Sequence, residues 1–475
     1  MDRDLGAGRF ARLDPVDCSA RRAQLVLVVL GIGTASALAY ALGLPPPRLW
    51  NGDSAGYVNW SPFRTPGYPA FLSAVALVSP SFGALRLVQS ACFVLATVFF
   101  CDGVAQLAPR RWLAIGLGCG VLLIPAFWKR AGEIRPEILF VCLIELFFGA
   151  SALALAARRA RWGAMAGAAL GLAILVRPVG YALVPGLLAV ATAIWRRQGA
   201  RPAGALVAPL LGLLASTSLA NGVLRGYYGT QAFGGVLFLG KVAPLIPGDG
   251  FGDPVSARMG AALSDLHPRV EGAGNSDLFW ISQQTYTPLL WNRLEPLLAA
   301  SGGNDPVAMN QIASAVSRAA LTRDPRLYAR LVAVHLESMW TWPWITTRDR
   351  IAPIQELMES APLRDALDDP TRFHDFVDVL VPEWLYCVKL AVLACAFGLC
   401  CLLPFLALAT GLVDPLLVLT AAAALSLQTY NLAVAAIDVA ISRFALPAVP
   451  MLGLTAALGI PAILPILRRI GARRR

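Results

Sequence analysis

PGYPAFLSAVALVS, residues 66–79, decides how the rest of this chain is read. The stretch is apolar, but a bilayer core asks for roughly 20 apolar residues in a row. It also carries two early prolines, Pro66 and Pro69, which suit the first turn of a helix and not its middle. Counted as a membrane span, it would place the later arginine clusters opposite the first one. Read as a half-buried helix on the outer face, joined to a first exported loop at 45–82, it leaves every cluster on one side.

Outward from that segment the chain is strongly apolar. Of its 475 residues 57% are hydrophobic and 15% charged, with mean hydropathy +0.62; an ordinary soluble protein is about 25% charged. This excludes a soluble multi-domain enzyme, a disordered chain and a disulfide-rich secreted scaffold. Ten runs are long enough to span: about 23–44, 83–101, 111–128, 137–156, 162–176, 179–195, 203–221, 384–410, 415–436 and 444–467. The expected fold is an all-α polytopic membrane protein of about ten transmembrane helices with a large exported loop. Residues 1–221 form an N-terminal membrane module, 222–382 the exported part and 383–475 the C-terminal helices.

The net charge of +11 is a topology signal and not a nucleic-acid footprint, because the basic residues cluster between apolar runs. Arg3, Arg9, Arg12, Arg21 and Arg22 precede the first run. Arg110–Arg111, then Arg158, Arg159 and Arg161, then Arg196, Arg197 and Arg201 separate later pairs, and Arg468, Arg469, Arg473, Arg474 and Arg475 follow the last. The positive-inside rule makes that side the cytoplasm, with both termini there. The N-terminus does not read as a cleavable signal peptide, since its basic region is long and mixed with acids and the first run is long enough to span. A multi-pass membrane protein is expected. The 222–382 stretch holds 13 Lys or Arg against 17 Asp or Glu, all three His and no Cys, which excludes a disulfide framework outside. The nine Cys show no paired metal-ligand spacing and read as small apolar packing groups.

Ionisable groups at membrane depth are costly, so they mark the first places to look for function. Asp53, in LWNGDSAGY, follows the first span; it suits a general base, and equally a cap for a short helix from Ser54 or an Asx-turn. Arg64, in FRTPGYP, offers a planar fork for a phosphate oxygen pair, or snorkels to headgroups. WKRAGEIRPEILF, 128–140, sets Lys129, Arg130, Glu133, Arg135 and Glu137 on the outside, against the positive-inside preference. Glu137 opens a helix, where the dipole favours a carboxylate; Glu145 lies eight residues on, about 80° round, at membrane depth. A local ion-pair set accounts for these residues as well as a site does. Arg177, in LVRPVGY, is an anchor or a second phosphate contact. Asp438 and Arg443 mark the outer entry of the last span, where an ordinary interfacial pair also fits. Carboxylates and arginines thus recur at one outer level on separate helices, as a phosphate-bearing lipid substrate would require.

The ordered pieces LWNGDSAGY (49–57), FRTPGYPAFLSAV (63–75), RPEILF (135–140), GLAILVRPVGYALVP (171–185) and RFALPAVPML (443–452) resemble bacterial GT-C superfamily glycosyltransferases, among them the protein O-mannosyltransferase and lipid A aminoarabinose transferase groups. The likeness covers the first seven spans well, the last span reasonably and 222–382 loosely. It implies a bacterial inner-membrane location and sugar transfer from a polyprenyl-phosphate donor to a lipid, glycan or protein acceptor on the exported face. By the same resemblance Asp53 matches the acidic residue of the first exported loop that is assigned as catalytic, Glu137, a second catalytic candidate, matches the recurrent acidic residue opening the fourth span, and Arg177 matches the basic residue of a Thr-Arg-Pro-like turn. Arg64, with Tyr68, Arg135, Arg177 and Arg443, would hold the lipid phosphate. Where many relatives carry Asp-Glu this chain has Asp53–Ser54, which leaves a divalent metal open; no other cofactor is expected. The competing expectations are a transporter or flippase, or a polymerase or ligase, for polyprenyl-linked glycans. A transporter would show an internal repeat and mid-membrane polar residues, and neither stands out.

In the exported part, RDPRLYARLVAVHLESMWTWPW (323–344) places Arg323, Arg326, Arg330 and Glu337 within about 60° of helical arc. This predicts an amphipathic helix along the outer surface, followed by Trp340, Trp342 and Trp344 as interfacial anchors or sugar-stacking faces. Residues 229–320, with GDGFGDP at 248–254, read as a loose acceptor-binding loop.

Overall fold

The computed structural model describes residues 15–43, 53–341, 383–438 and 445–473. Among them every regular element is helical. The membrane-type helices are α1 (Pro15–Gly43), α4 (Leu85–Ala105), α5 (Arg111–Leu122) with α6 (Pro125–Ala131), α7 (Glu137–Ala157), α8 (Ala160–Val176), α9 (Val184–Gln198) and α10 (Ala200–Arg225). Two short helices, α2 (Ser54–Val58) and α3 (Gly67–Val78), lie between α1 and α4. By length and composition eight described helices can cross a membrane, α9 being counted with the 3₁₀ turn that leads into it (Pro178–Gln198), and nine if the bent α5–α6 pair is one span; α8, at 17 residues, falls just short. The ten apolar runs therefore all return as helices. Segment 67–78 is a 12-residue helix with Pro66 at its N-cap, too short to cross.

Prolines set the breaks that matter. Pro125 holds Ile124 extended, so α5 and α6 meet at 57°. The Trp128 indole donates to the Leu122 carbonyl freed there, at 2.7 Å. Pro178 does the same for Arg177, whose extended backbone (φ −144°, ψ 125°) ends α8 and opens a 3₁₀ turn into α9.

α7 is apolar on every side and largely enclosed, packed between α4 and α8. Hydrocarbon gives helices no hydrophobic reason to associate, so close backbone approach decides. A Cβ on Gly103 of α4 would stand 2.3 Å from the Gly149 carbonyl oxygen of α7. Gly103→Leu should therefore part the two helices and cost upwards of about 3 kcal/mol, the upper range for overpacking. A thermal melt of detergent-solubilised protein reads this directly; an unchanged midpoint would refute the packing. Buried Glu145 of α7 is met by Thr97 of α4, whose hydroxyl lies 3.0 and 3.1 Å from its two oxygens. Among the described residues its partner is thus a hydroxyl and not the neighbouring-helix cation of a salt bridge.

Residues 226–341 are not a loose loop. They form α11 (Gly234–Val242), α12 (Pro254–Ala262), α13 (His267–Val270), α14 (Asn275–Gln284), α15 (Glu295–Gly302), α16 (Pro306–Arg323) and α17 (Pro325–Thr341). These helices enclose a core of their own, with Val236, Leu239, Leu263, Leu294, Ala313 and Leu331 buried in it. In GDGFGDP, Asp253 caps α12 by accepting from the Val255 and Ser256 amides.

The chain then returns through α18 (Glu383–Ala409), α19 (Pro415–Ile437) and α20 (Val449–Arg473). Arg326, Arg330 and Glu337 of α17 are exposed as the periodicity predicts, as is Arg323, which ends α16, but the apolar side of α17 does not lie along a surface. Val334, Met339 and Trp340 join the bundle core, Tyr328 donates to the Ala436 carbonyl of α19 at 3.1 Å, and Trp340 meets Phe397 of α18 edge-on at 5.2 Å. Trp340 is a core contact and not an interfacial anchor; Trp342 and Trp344 lie outside the described residues.

The candidate active site

Two ends of the bundle differ in chemistry. At one, Arg22 pairs with Asp102 at 2.5 Å, Arg196 donates to the Gly411 carbonyl and Gln198 to that of Ala154. At the other, the segment carrying Asp53 and Arg64 is pinned to the starts and ends of α7 and α8. Ser54 reaches the Ile134 carbonyl at 3.4 Å and Thr65 that of Val176 at 3.0 Å. Gly67 allows the second contact: a Cβ there would meet the Leu175 carbonyl at 2.7 Å.

Asp53 occupies the N-cap position of α2, yet its side chain makes no capping hydrogen bond. It turns instead to Arg64, whose Nη2 donates to Oδ1 at 2.7 Å. The pair is partly open, with side chains 33% and 21% exposed, so a ligand can reach it. Arg64 lies over the Tyr57 ring, 4.7 Å from its centroid, and near Phe233 at 5.8 Å. Tyr57 stands four residues after Asp53, on the same helical face.

A second pair lies deeper. Arg177 Nη1 is 3.4 Å from Glu137 Oε1, with both side chains largely enclosed, and Arg177 also faces the Phe140 ring at 6.0 Å. Tyr57 sits within the field of both pairs: burial raises its phenol pKa, Arg64 opposes that, and Asp53 and Glu137 add to it. The pieces of sequence that carry Asp53, Arg64, Glu137 and Arg177 are therefore brought to one place.

Other candidates have different surroundings. Arg135 lies 3.1 Å and Arg130 2.9 Å from the Glu133 carboxylate, so these three charges form a local ion-pair set. Gln89 of α4 fixes that turn by donating to the Ala131 and Glu133 carbonyls. Tyr68 is fully buried; it packs edge-on against Tyr57 at 5.1 Å and its hydroxyl reaches Gln89 at 3.4 Å. Arg443 lies outside the described residues. Among those residues no three His, Cys, Asp or Glu side chains gather as metal ligands.

Sequence reading missed Tyr57, Glu133 as a clamp, and Lys241. Lys241 is wholly buried on α11, and its ammonium has no hydrogen-bond partner among the described residues. Burial drives its pKa well down, opposed by Asp438; His335, also buried, is pushed down by burial and by Lys241. The folded pKa is below the unfolded value for both, so the unfolded state binds more protons and stability rises with pH up to each unfolded pKa, about 6.5 for His and 10.4 for Lys. Lys241→Met should raise Tm by about 2–5 °C, the effect of removing a buried cationic group whose burial outweighs its attraction to Asp438, and flatten the rise above pH 7. A variant melting below wild type would show that Lys241 is compensated in the fold.

No family model matches the chain, and no curated protein matches it. Among solved structures it is similar to the crystal structure of ArnT from Cupriavidus metallidurans bound to undecaprenyl phosphate, at 16% identity, over 95% of this chain and 80% of that one, with a TM-score of 0.31. A likeness at that level leaves the site to be read from its own geometry.

Proposed function

We propose that the chain is a membrane glycosyltransferase that moves a sugar from a polyprenyl-phosphate-linked donor to an acceptor on the exported face of the membrane. One observation carries the reading: the partly open Asp53–Arg64 pair and the enclosed Glu137–Arg177 pair flank Tyr57 at one end of the bundle, opposite the end rich in arginine. By the positive-inside rule the site end faces outward, where nucleotide sugars are absent and a lipid-borne sugar is the available donor.

In this reading Asp53 accepts the proton of the acceptor hydroxyl as its oxygen bonds to the sugar's anomeric carbon. The bond from that carbon to the phosphate oxygen breaks, and its electron pair leaves with the phosphate. Attack opposite the leaving group inverts the anomeric centre. Arg64 steadies the departing charge by the fork geometry that suits phosphate. Arg177 supplies a second cation, held in orientation by Glu137, which is too enclosed to meet substrate itself. Tyr68 and Gln89 act at one remove, by bracing Tyr57 and the Glu133 turn. A bilayer-edge site also fits the donor's chemistry, since the prenyl tail stays in lipid while its phosphate reaches the rim.

Purified protein in lipid nanodiscs should consume a radiolabelled polyprenyl-phosphate monosaccharide in the presence of envelope lipid, glycan or protein extract, and ignore the corresponding nucleotide sugar. Consumption of the nucleotide sugar alone would overturn the reading. Accumulation of a lipid-linked oligosaccharide in a deletion strain would favour a polymerase, ligase or flippase instead.

A further inference from the structure

A cavity of about 310 Å³ opens beside α10, lined among others by Tyr227, Tyr228, Gln231, Asn310 and Gln311. Sites for small molecules run from roughly 300 to 1,000 Å³, so its occupant is small. The lining joins amides and phenols with no charged side chain. A phosphate would call for cations there. An apolar ligand would take the Gln231 and Gln311 amides from water and leave unmet the Tyr227 hydroxyl, which is buried without a partner among the described residues. What these groups match is a neutral, hydroxyl-rich molecule.

The ring of Tyr228 adds a stacking face. It is 79% exposed and seated over Gly222 on the last turns of α10, where a Cβ would meet the ring at 2.5 Å. The seat fixes the ring from below and leaves the rest of it uncovered. Aromatic faces of this kind stack on the apolar face of a sugar. The loop that carries these residues is rigidly held: Asn221 donates to the Gly229 carbonyl at 2.7 Å, and the Asn310 carboxamide oxygen accepts from the Gly235 amide at 2.8 Å.

This loop also forms a wall of the Asp53–Arg64 site. The Ala232 amide donates to the Pro62 carbonyl at 3.0 Å, and Phe233 packs on Phe63 at 5.0 Å and under Arg64. We propose that the cavity is a subsite for a neutral carbohydrate, one or two sugar rings long, placed next to the transfer centre. That it is a carbohydrate site rests on its own lining; that the sugar belongs to the acceptor rests on the transferase reading above.

The test uses the full chain in nanodiscs, applied to an array of defined pentose, hexose and amino-sugar oligosaccharides. Wild type should be retained on at least one class. Tyr227→Phe with Gln311→Ala should lower that signal about tenfold, the effect of losing one or two hydrogen bonds to a ligand, with an unchanged melting temperature. Tyr228→Ala should do the same without touching a buried group. A synthetic polyprenyl-phosphate monosaccharide that displaces the glycan assigns the cavity to the donor sugar; failure to displace assigns it to the acceptor. Absence of retention on any glycan, or full retention by all variants, overturns the carbohydrate site. Absence of array binding by a wild-type preparation that still carries out transfer sinks the cavity alone, and array binding without any lipid-donor transfer sinks the transferase reading alone.

Discussion

Asp53→Asn should lower kcat for transfer by about 10²- to 10⁴-fold, the range lost with a general base, and leave the donor KM nearly unchanged. Its effect on folding should be small. The Asp53–Arg64 pair is partly solvent-exposed, and exposed pairs are worth only about 0–1 kcal/mol. Nor does the change remove a helix cap, since the carboxylate does not cap α2. Initial rates with a labelled lipid-phosphate sugar, paired with a melt of the same preparation, measure both. A variant with wild-type rates would remove Asp53 from the chemistry; one that simply unfolds would return it to a structural role. Arg64→Lys makes a sharper companion, because a single ammonium keeps the charge and loses the fork.

The second large effect is expected at the enclosed pair. Arg177→Ala removes the guanidinium that meets buried Glu137, and breaking such a pair costs about 3–5 kcal/mol. Replacing both partners by apolar groups, Arg177→Met with Glu137→Leu, should recover most of that stability, since well-packed apolar substitutes for buried ion pairs are often neutral or better. Transfer should fail in both variants if Arg177 meets the phosphate. Recovered stability with recovered transfer would show that the pair only holds α7 to α8.

The helices were legible because spans announce themselves by length and apolarity, and because the arginine clusters repeat at every second turn. The short helix at 67–78 was legible for the opposite reason, being too short and proline-led. Asp53 was visible as a residue but its role was not. A cap and an ion pair use the same carboxylate, and only the position of Arg64, 11 residues away across a turn, separates them. Arg177 and Glu137 come from different turns, and nothing local to either announces the other. Arg135 was misleading in isolation, since its partner Glu133 precedes it by two residues across a bend that reverses the chain. The helices of 226–341 were hidden by composition: Gly, Pro, Asn and Asp there serve as caps and turns between short helices, as Asp253 and Asp305 do. Helical periodicity identified the two faces of α17 but not what its apolar face would touch.

The strut α17 has a consequence for the order in which the molecule is made. Its grip on α19 joins Tyr328 to a carbonyl 108 residues later in the chain. A ribosome that has released α17 has not yet produced the helix it clasps. The strut must therefore wait, its greasy underside unclaimed, until the closing membrane segments have been threaded into the bilayer. Nascent chains stalled ahead of Pro415 should be cut by protease within α17, while those released whole should be spared.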